Sequence, residues 1–131
     1  AGATEEMLRW EAPVQAQPRY VHADIEFEDG TMFDAGVQLW LLIGSANRDH
    51  ERYDQPDAVR FDRDATDHFS FGGGRHVCLG AGLARSEIRA ALTRMAQSWR
   101  SVEVVGDPVR REHFQFRGLE HLPVRVEWDR P

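Results

Sequence analysis

Apolar side chains recur at three- and four-residue steps in the stretch that begins near Ala81, while arginine and glutamate side chains occupy the other face. This period is typical of an amphipathic α-helix, so we predict one long helix there. A shorter helical pattern covers residues 3–10, with Thr4 in a capping position and Pro13 beyond its end. The apolar positions of the long helix are Leu83, Ala84, Ile88, Ala91, Leu92, Met95 and Trp99.

Short stretches of β-favouring residues separate the two helical patterns. Residues 25–27 and 31–33 are predicted to form strands around an Asp-Gly turn, and residues 14–21 are predicted to be extended. Residues 37–43 are an apolar run interrupted only by Gln38, which indicates a buried strand that enters a helical turn.

The remaining segments lack the helical period. Residues 52–66 show no clear alternation, so we predict an irregular segment held in place by Phe61 and Arg63. Strands are predicted again towards the end of the chain, over residues 101–105, 113–116 and 124–128.

Composition limits the class of protein. The 131 residues, 41% of them apolar, can bury one core and therefore indicate one domain or part of one. The net charge of −6 argues against a nucleic-acid binder, because phosphate neutralisation needs a basic face. A single cysteine excludes an internal disulfide framework and fits a reducing compartment. Without an apolar stretch of about 20 residues or a secretory signal, we expect a cytoplasmic protein with no membrane partner.

The only cysteine lies in a glycine-rich stretch, Phe-Gly-Gly-Gly-Arg-His-Val-Cys-Leu-Gly, at residues 71–80. Glycines let the backbone adopt positive φ and pass close to a bulky group. Cys78 precedes a helix N-terminus, where free N–H groups and the positive end of the helix dipole favour an anion. A thiolate buried there, beside the ring of Phe71, would suit an iron that takes one anionic axial donor. We therefore predict that Cys78 is a metal ligand.

The residues around Cys78 argue against two other kinds of site. A phosphate-binding loop would need Gly-Lys-Ser/Thr before the helix, and Arg-His-Val-Cys stands there instead. A closed zinc site usually takes four ligands, and Cys78 has a single neighbouring histidine, His76. A nucleophilic cysteine with a histidine base stays open, because it needs only spatial proximity. A lone cysteine is, in general, most often a small buried hydrophobe.

The spacing Phe-Gly-x-Gly-x-His-x-Cys-x-Gly closely resembles the cysteine-ligand loop of the cytochrome P450 family, the bacterial-type haem-thiolate monooxygenases. The resemblance implies a thiolate-ligated haem b (iron protoporphyrin IX), with Cys78 on the iron and Phe71, Gly72 and Gly80 against the cofactor. It also implies the C-terminal part of that fold, mainly α with small antiparallel β-sheets. In chain order this part has a Glu-x-x-Arg helix, β-hairpins, a meander, the cysteine loop, a long amphipathic helix and a C-terminal hairpin.

Glu6 and Arg9 share a face of the first helix and resemble the Glu-x-x-Arg pair of the family. Taken alone, such a pair is usually a solvated contact of little energetic weight. The stretch Glu-Glu-Met-Leu-Arg-Trp, followed by Pro-Val, is similar to the bacterial form of the motif, and Arg63 stands where the family places a second arginine. A buried Arg–Glu–Arg set fixes geometry, so the implied role is structural.

Two side chains match family positions that donate to haem propionates, namely Arg19 in the extended segment and His76 in the cysteine loop. A permanently charged guanidinium suits a carboxylate, although an exposed arginine and a helix-cap histidine would be their ordinary interpretation without the loop. The resemblance also implies four candidate substrate contacts: Val14, Gln15, Gln115 and Phe116.

The resemblance covers essentially all of residues 1–131 but only the last third or so of a family member. No counterpart of the family's acid–alcohol pair on the distal helix occurs here, so we expect no catalytic residue in this chain and, as a truncated piece, no activity from it alone. We also expect exposed apolar surface on the long helix and on residues 37–43, and hence a missing covering chain or self-association.

The implied function of the intact enzyme is that of an oxidoreductase that inserts one oxygen atom from O2 into a small organic substrate. Electrons would come from NAD(P)H through a reductase and a ferredoxin-type donor, and the haem iron would perform the oxidation. The alternative hypothesis is a truncated haem-binding or interaction protein, or fragment, that lacks monooxygenase activity. A degenerate scaffold that binds no haem is a third.

Overall fold

The computed structural model describes residues 2–129, which contain three α-helices, one short 3-10 helix and eight strands. The strands form four two-stranded antiparallel sheets, which pair β1 with β4, β2 with β3, β5 with β8 and β6 with β7. None of the helices in this part of the chain is long and apolar enough to cross a membrane. In chain order the elements are α1 (Gly2–Trp10), β1 (Gln17–Tyr20), β2 (Ile25–Glu26), β3 (Met32–Phe33), β4 (Gln38–Leu41), α2 (Ile43–Ala46), the 3-10 helix (Gly74–His76), α3 (Ala81–Ser98), β5 (Trp99–Val104), β6 (Val109–Arg110), β7 (Leu119–His121) and β8 (Val124–Trp128).

Helix α1 is the most deeply buried element, and much of what it buries is polar. Five of its residues are buried, namely Thr4, Glu5, Glu6, Leu8 and Arg9. The helix already includes Gly2, so Thr4 lies inside it and does not cap it, contrary to the sequence prediction. The buried apolar residues elsewhere are mostly small: Ala12, Ala16, Val21, Ile43, Tyr53, Ala65 and Ala81. The core is thus a thin layer around α1.

The predicted hairpin at residues 25–33 is confirmed. Strand β2 pairs with β3, and Gly30 adopts a φ of +83° in the turn between them. That conformation is strained for any residue with a Cβ, which explains the glycine.

Residues 37–43 form the predicted strand and helical turn, but the strand is not buried as predicted. Strand β4 leads into α2 as expected, and Ile43 is buried. Trp40 and Leu41, however, are 40% and 43% exposed. Consecutive side chains of a strand point to opposite faces, so this two-stranded sheet exposes apolar side chains on both faces of β4. The apolar surface expected on this segment is therefore present.

The predicted strand at residues 113–116 is wrong. The segment is a bend with a single bridge, Val14 to Phe116. The Nδ1 atom of His113 accepts hydrogen bonds from the backbone N–H groups of Gln115 and Phe116, at 3.1 and 3.3 Å. Because these N–H groups are used locally, they cannot enter a strand ladder.

The segment at residues 52–66 is irregular, as predicted. Its buried aromatic residue is Tyr53, whereas Phe61 is 59% exposed and so does not hold the segment in place. We call residues 52–66 the meander.

Helix α3 confirms the predicted long helix after the cysteine. Its apolar stripe is only partly covered, in line with the apolar surface expected on this helix: Ile88 and Leu92 are half-buried, and Leu83 is 66% exposed. Of its residues only Ala81 is buried. The helix therefore meets the rest of the described chain mainly at its N-terminal turns.

Candidate functional site

The residues before Cys78 form a tight loop that two glycines make possible. Gly72 and Gly74 have φ values of +71° and +63°. The N–H of Cys78 donates a 2.8 Å hydrogen bond to the carbonyl of Phe71, which closes the loop. The 3-10 helix follows Gly73 and carries His76. The loop thus fixes the main chain of Cys78 against that of Phe71. We call residues 71–78 the cysteine loop.

The thiol of Cys78 is free and exposed in the described structure, whereas the sequence analysis placed a buried thiolate there. Val77 and Leu79 on either side are exposed as well, so the whole of residues 77–79 lies at the surface of the described structure. Gly80 follows closely, and a Cβ at that position would lie 3.8 Å from the sulfur. Glycine at residue 80 therefore leaves the approach to the sulfur open.

The two candidate propionate ligands lie on different elements. Arg19 is on β1, exposed, and its guanidinium donates to the carbonyl of Pro18 at 2.8 Å and to Oε1 of Gln17 at 3.2 Å. His76 is exposed in the cysteine loop. Both side chains therefore have surface available to an anion, and the contacts that hold Arg19 lie within its own strand.

A buried ion cluster joins α1 to the meander. Arg9 donates two hydrogen bonds to Glu6, from Nε to Oε2 at 2.7 Å and from Nη2 to Oε1 at 2.8 Å, and both side chains are 0% exposed. Arg63 is the third member, with Nε 3.4 Å from Oε1 of Glu6. The structure thus brings Glu6, Arg9 and Arg63 together. We call these three residues the Glu6 cluster.

Backbone carbonyls complete this cluster. The Nη1 atom of Arg9 donates to the carbonyls of Asn47 and Pro56, at 2.8 and 2.9 Å. The ring of Tyr53 lies 5.0 Å from the Arg9 guanidinium carbon, within cation–π range. Asn47 is a partner that the sequence analysis does not single out. Asn47 is fully buried, and its Oδ1 accepts the N–H of Phe69 at 2.7 Å.

The cluster also sets the charge of Glu6. Burial opposes ionisation, but hydrogen bonds from Arg9 and from the backbone N–H of Arg60, together with the charges of Arg9 and Arg63, lower the pKa of Glu6 below its usual value. The carboxylate is therefore held ionised. A charged Glu6 keeps the buried guanidinium of Arg9 paired.

A second buried cluster, which sequence reasoning did not find, connects α1 to α3. Arg85 donates through Nε to both carboxylate oxygens of Glu5, at 3.0 and 2.9 Å. His68 lies with Nε2 3.3 Å from Oε2 of Glu5, and its Nδ1 accepts the N–H of Ser70 at 3.1 Å. Since Nδ1 accepts, Nε2 is the protonated nitrogen that donates to Glu5. We call Glu5, His68 and Arg85 the Glu5 cluster.

The environment keeps His68 neutral. Burial lowers the pKa of His68, and the nearby Arg85 charge adds to this effect, while the hydrogen bond and charge of Glu5 only partly oppose it. The side chain is 0% exposed. His68 therefore serves as a neutral hydrogen-bonding bridge at this site.

The four candidate substrate contacts come together in two pairs. Val14 bridges Phe116, and the N–H of Gln15 donates to the carbonyl of Gln115 at 2.7 Å. The side chain of Gln15 lies in the space that a Cβ on Gly44 would occupy. A shallow cavity of about 460 Å³ opens beside these segments, and its lining includes Gln15, Ala16, Leu42, Ser45, Phe114 and Phe116.

Comparison with known proteins places this geometry in a family. A family model described as "Cytochrome P450" matches residues 3–125. The chain belongs to the cytochrome P450 family. The cysteine loop, the Glu6 cluster and strands β5 to β7 all fall inside the matched region, and β8 begins within it.

Cytochrome P450 proteins of bacteria are similar over almost the whole chain. A biotin biosynthesis cytochrome P450 of Bacillus subtilis is 41% identical over 126 residues, which are 95% of this chain and 32% of that protein. A steroid C26-monooxygenase of Mycobacterium tuberculosis is 40% identical over 127 residues, 94% of this chain and 31% of that protein. The chain thus spans about a third of the length of these relatives.

Solved cytochrome P450 structures share the fold. P450BioI, crystallised with an acyl carrier protein that carries hexadec-9Z-enoic acid, superposes with a TM-score of 0.90 at 40% identity and covers 96% of this chain and 33% of its own. A thermophilic cytochrome P450 from Sulfolobus tokodaii superposes with a TM-score of 0.90 at 38% identity, and the match covers 98% of this chain and 34% of that one. The predicted C-terminal part of the cytochrome P450 fold is therefore confirmed.

The donor set of this chain fits a haem. The free, exposed thiol of Cys78 can supply one axial ligand, and the glycine at residue 80 leaves the sulfur accessible. Arg19 and His76 are exposed and can meet carboxylates. One sulfur donor for the iron, with separate hydrogen-bond donors for carboxylates, is a set that suits a haem with propionates.

Proposed function

We propose that residues 1–131 are the C-terminal haem-thiolate portion of a bacterial-type cytochrome P450 monooxygenase, with Cys78 as the axial ligand of a haem b iron. The observation that carries the proposal is the closed cysteine loop. The Cys78 N–H bonds to the Phe71 carbonyl at 2.8 Å, while the thiol itself stays free and exposed just before helix α3. Because the N–H and the carbonyl of Cys78 are both hydrogen-bonded, the sulfur is the atom of this residue that remains available to coordinate a metal.

The other site residues hold and orient the cofactor in this proposal. Arg19 and His76 bind its propionates, and Phe71, Gly72 and Gly80 form the surface against which it lies. Glu6, Arg9 and Arg63 have a structural role, because their buried bonds tie α1 to the meander. When bound, the haem supplies the oxygen-activating redox chemistry of the reaction.

The whole enzyme would insert one oxygen atom from O2 into a small organic substrate. Val14, Gln15, Gln115 and Phe116 lie close together and would face that substrate. A ferredoxin-type donor and an NAD(P)H-dependent reductase would supply electrons, and the single cysteine fits a cytoplasmic location. Similarity to a named steroid monooxygenase favours this function over a haem-binding or interaction protein without such activity.

Spectroscopy of the 131-residue chain with added haem tests the proposal. After reduction under carbon monoxide, we expect the strongly red-shifted Soret band of thiolate ligation. The Cys78→Ala variant should lose this band completely, because no other cysteine exists in the chain. Ser86→Ala is the matched control, since Ser86 is exposed on α3 and its hydroxyl donates within that helix, to the carbonyl of Gly82 at 2.9 Å. An unchanged spectrum in Cys78→Ala, or no haem uptake by the wild-type chain, would contradict the assignment.

Turnover with supplied electrons is a separate measurement. The distal acid–alcohol pair has no counterpart in these residues, so we expect no product from this chain alone even when haem is bound. Substrate oxidation by the chain alone would contradict that expectation.

A further inference from the structure

The Glu5 cluster connects three parts of the chain that are far apart in sequence. Glu5 is on α1, His68 precedes the cysteine loop, and Arg85 is in the second turn of α3. The bonds from Glu5 span 63 positions to His68 and 80 positions to Arg85. The carboxylate of Glu5 therefore holds both chain segments that flank the cysteine loop.

The cluster reaches the loop itself through Arg85. The guanidinium carbon of Arg85 lies 4.6 Å from the centroid of the Phe71 ring, and the His68 ring lies 5.9 Å from the same ring. A planar guanidinium over an aromatic face is attracted by the ring, and this attraction restricts the position of the ring. The Phe71 ring thus contacts a guanidinium and an imidazole, both of which are bonded to Glu5.

Phe71 in turn holds the main chain of Cys78. The carbonyl of Phe71 accepts the N–H of Cys78 at 2.8 Å, and the carbonyl of Phe69 accepts the N–H of Gly72 at 2.8 Å. A continuous series of contacts therefore leads from Glu5 through Arg85 and Phe71 to Cys78. The Glu6 cluster, in contrast, bonds to the meander at Pro56, Ala58 and Arg60.

We propose that Glu5, His68 and Arg85 are positioning residues that fix Phe71 and, through it, the main chain of Cys78. Arg85 acts by stacking on the Phe71 ring, Glu5 by orienting the Arg85 guanidinium, and His68 by holding Glu5 from the other side. The consequence for ligation rests on the proposed function, because it requires Cys78 to bind haem. The consequence for the loop itself does not.

Amide hydrogen exchange of the full 131-residue chain without haem tests the positioning. In Arg85→Gln and Glu5→Gln, the charge-assisted bond between Glu5 and Arg85 is lost, and with it the placement of the guanidinium on the Phe71 ring. Because the Phe71 carbonyl accepts the N–H of Cys78, we expect the Cys78 amide to exchange about tenfold faster. Amides in the pairing of β5 with β8 should be unchanged. Arg89→Gln, an exposed arginine one turn further along α3, is the matched control and should exchange as the wild type does.

A second variant separates positioning from general stability. Arg85→Lys keeps the charge but loses the planar group, so it should restore part of the protection of the Cys78 amide. If Arg85→Gln does not fold, the exchange of the Cys78 amide in Arg85→Lys tests the positioning role of Arg85 instead. Unchanged exchange at Cys78 in Glu5→Gln and both Arg85 variants would overturn the proposal, and so would an equal loss of protection across the whole chain.

The haem-loaded chain gives the spectroscopic readout. Under carbon monoxide, we expect Arg85→Gln to show less of the thiolate-ligated band and more of the thiol-ligated form than Arg89→Gln at equal haem content. Equal fractions of the thiolate-ligated form in Arg85→Gln and Arg89→Gln would overturn the proposed effect on ligation. If the wild-type chain takes up no haem, the proposed function fails, while the exchange measurement still decides whether the Glu5 cluster positions the loop.

Discussion

At the scale of single residues, Arg9 and Glu6 are the largest fully buried side chains among the described residues, and both can carry a charge. Both side chains are 0% exposed and are joined by two hydrogen bonds. Replacing Glu6 with Gln leaves the guanidinium of Arg9 buried without its counter-charge. We expect the free energy of unfolding to fall by about 3–5 kcal/mol, measured by urea denaturation.

The exposed pair of Arg48 and Asp57 provides the comparison. Asp57 is 84% exposed, so Asp57→Asn should cost less than about 1 kcal/mol. Equal destabilisation by the two substitutions would show that burial does not set the strength of the Glu6 cluster.

The stability of the chain should also fall in acid, and His68 should respond first. The pKa of His68 is lower in the folded chain than its usual value of 6.5, so the unfolded chain binds the proton more readily. Its contribution to stability is complete above pH 6.5 and is lost as the pH falls from there towards the folded-state pKa. The lowered pKa of Glu6 adds a further loss below 4.5.

Urea midpoints between pH 8 and pH 4 in wild type and His68→Gln measure this effect. We expect the wild-type midpoint to decrease from about pH 6.5 downwards and the His68→Gln midpoint to stay flat until the carboxylates titrate. Parallel curves for the two proteins would contradict the role of His68.

Sequence predicted some of these residues and missed others for a physical reason. Glu6 and Arg9 are three positions apart, so their pairing is visible from helical spacing. The bonds of Glu5 reach His68 and Arg85 across 63 and 80 positions, and no local period reports such contacts. Asn47 likewise reads as a turn residue until its buried partners are known.

At the scale of elements, the cysteine loop depends on backbone conformation. Gly74 has a φ of +63°, and a Cβ at this position would meet nothing within 4 Å. In Gly74→Ala the cost is therefore purely conformational, and we expect a loss of about 1–2 kcal/mol in stability. Urea denaturation of the variant measures it.

The neighbouring Gly73 is the matched control. Its φ of −157° is extended, and a Cβ there would make an ordinary contact with the Phe69 ring at 3.6 Å. Gly73→Ala should leave stability within about 0.5 kcal/mol of wild type. A larger loss in Gly73→Ala than in Gly74→Ala would mean that side-chain space, and not φ, governs the loop.

Elements with a strong local signal were predictable, and elements defined by their partners were not. The Asp-Gly turn and the period of α3 are local, and both appear as predicted. Residues 113–116 favour a strand by composition, but the ring of His113 takes up the N–H groups that a ladder would need. The degree of burial of residues 37–43 depends on what covers β4, which the segment itself does not encode.

At the scale of the whole molecule, large apolar side chains lie on the surface next to the cysteine loop. Leu79 is 104% exposed and Leu83 is 66% exposed. Such a surface favours association in water, so the 131-residue chain studied by itself should form dimers or larger species. Sedimentation velocity over a concentration series measures this, and Leu83→Ser should shift the distribution towards monomer.

Leu122→Ser is the control for this surface, because Leu122 is exposed in the turn between β7 and β8. We expect it to leave the association unchanged. A monomer at every concentration in the wild-type chain would contradict the prediction.

Segments that are far apart in sequence meet beside the cavity, and this has a consequence for the order of folding. The N–H of Arg117 donates to the carbonyl of Pro13 at 2.8 Å, and Arg110 bonds to Glu11 across 99 positions. During synthesis on the ribosome, the segment after α1 must therefore wait until Arg117 has been added before its last backbone partner exists. Loop closure over such a span is slow and comes late. A protease that removed the final hairpins would thus undo the last-formed contacts and open the cavity wall, while the cysteine loop, held from α1 and α3, would remain closed.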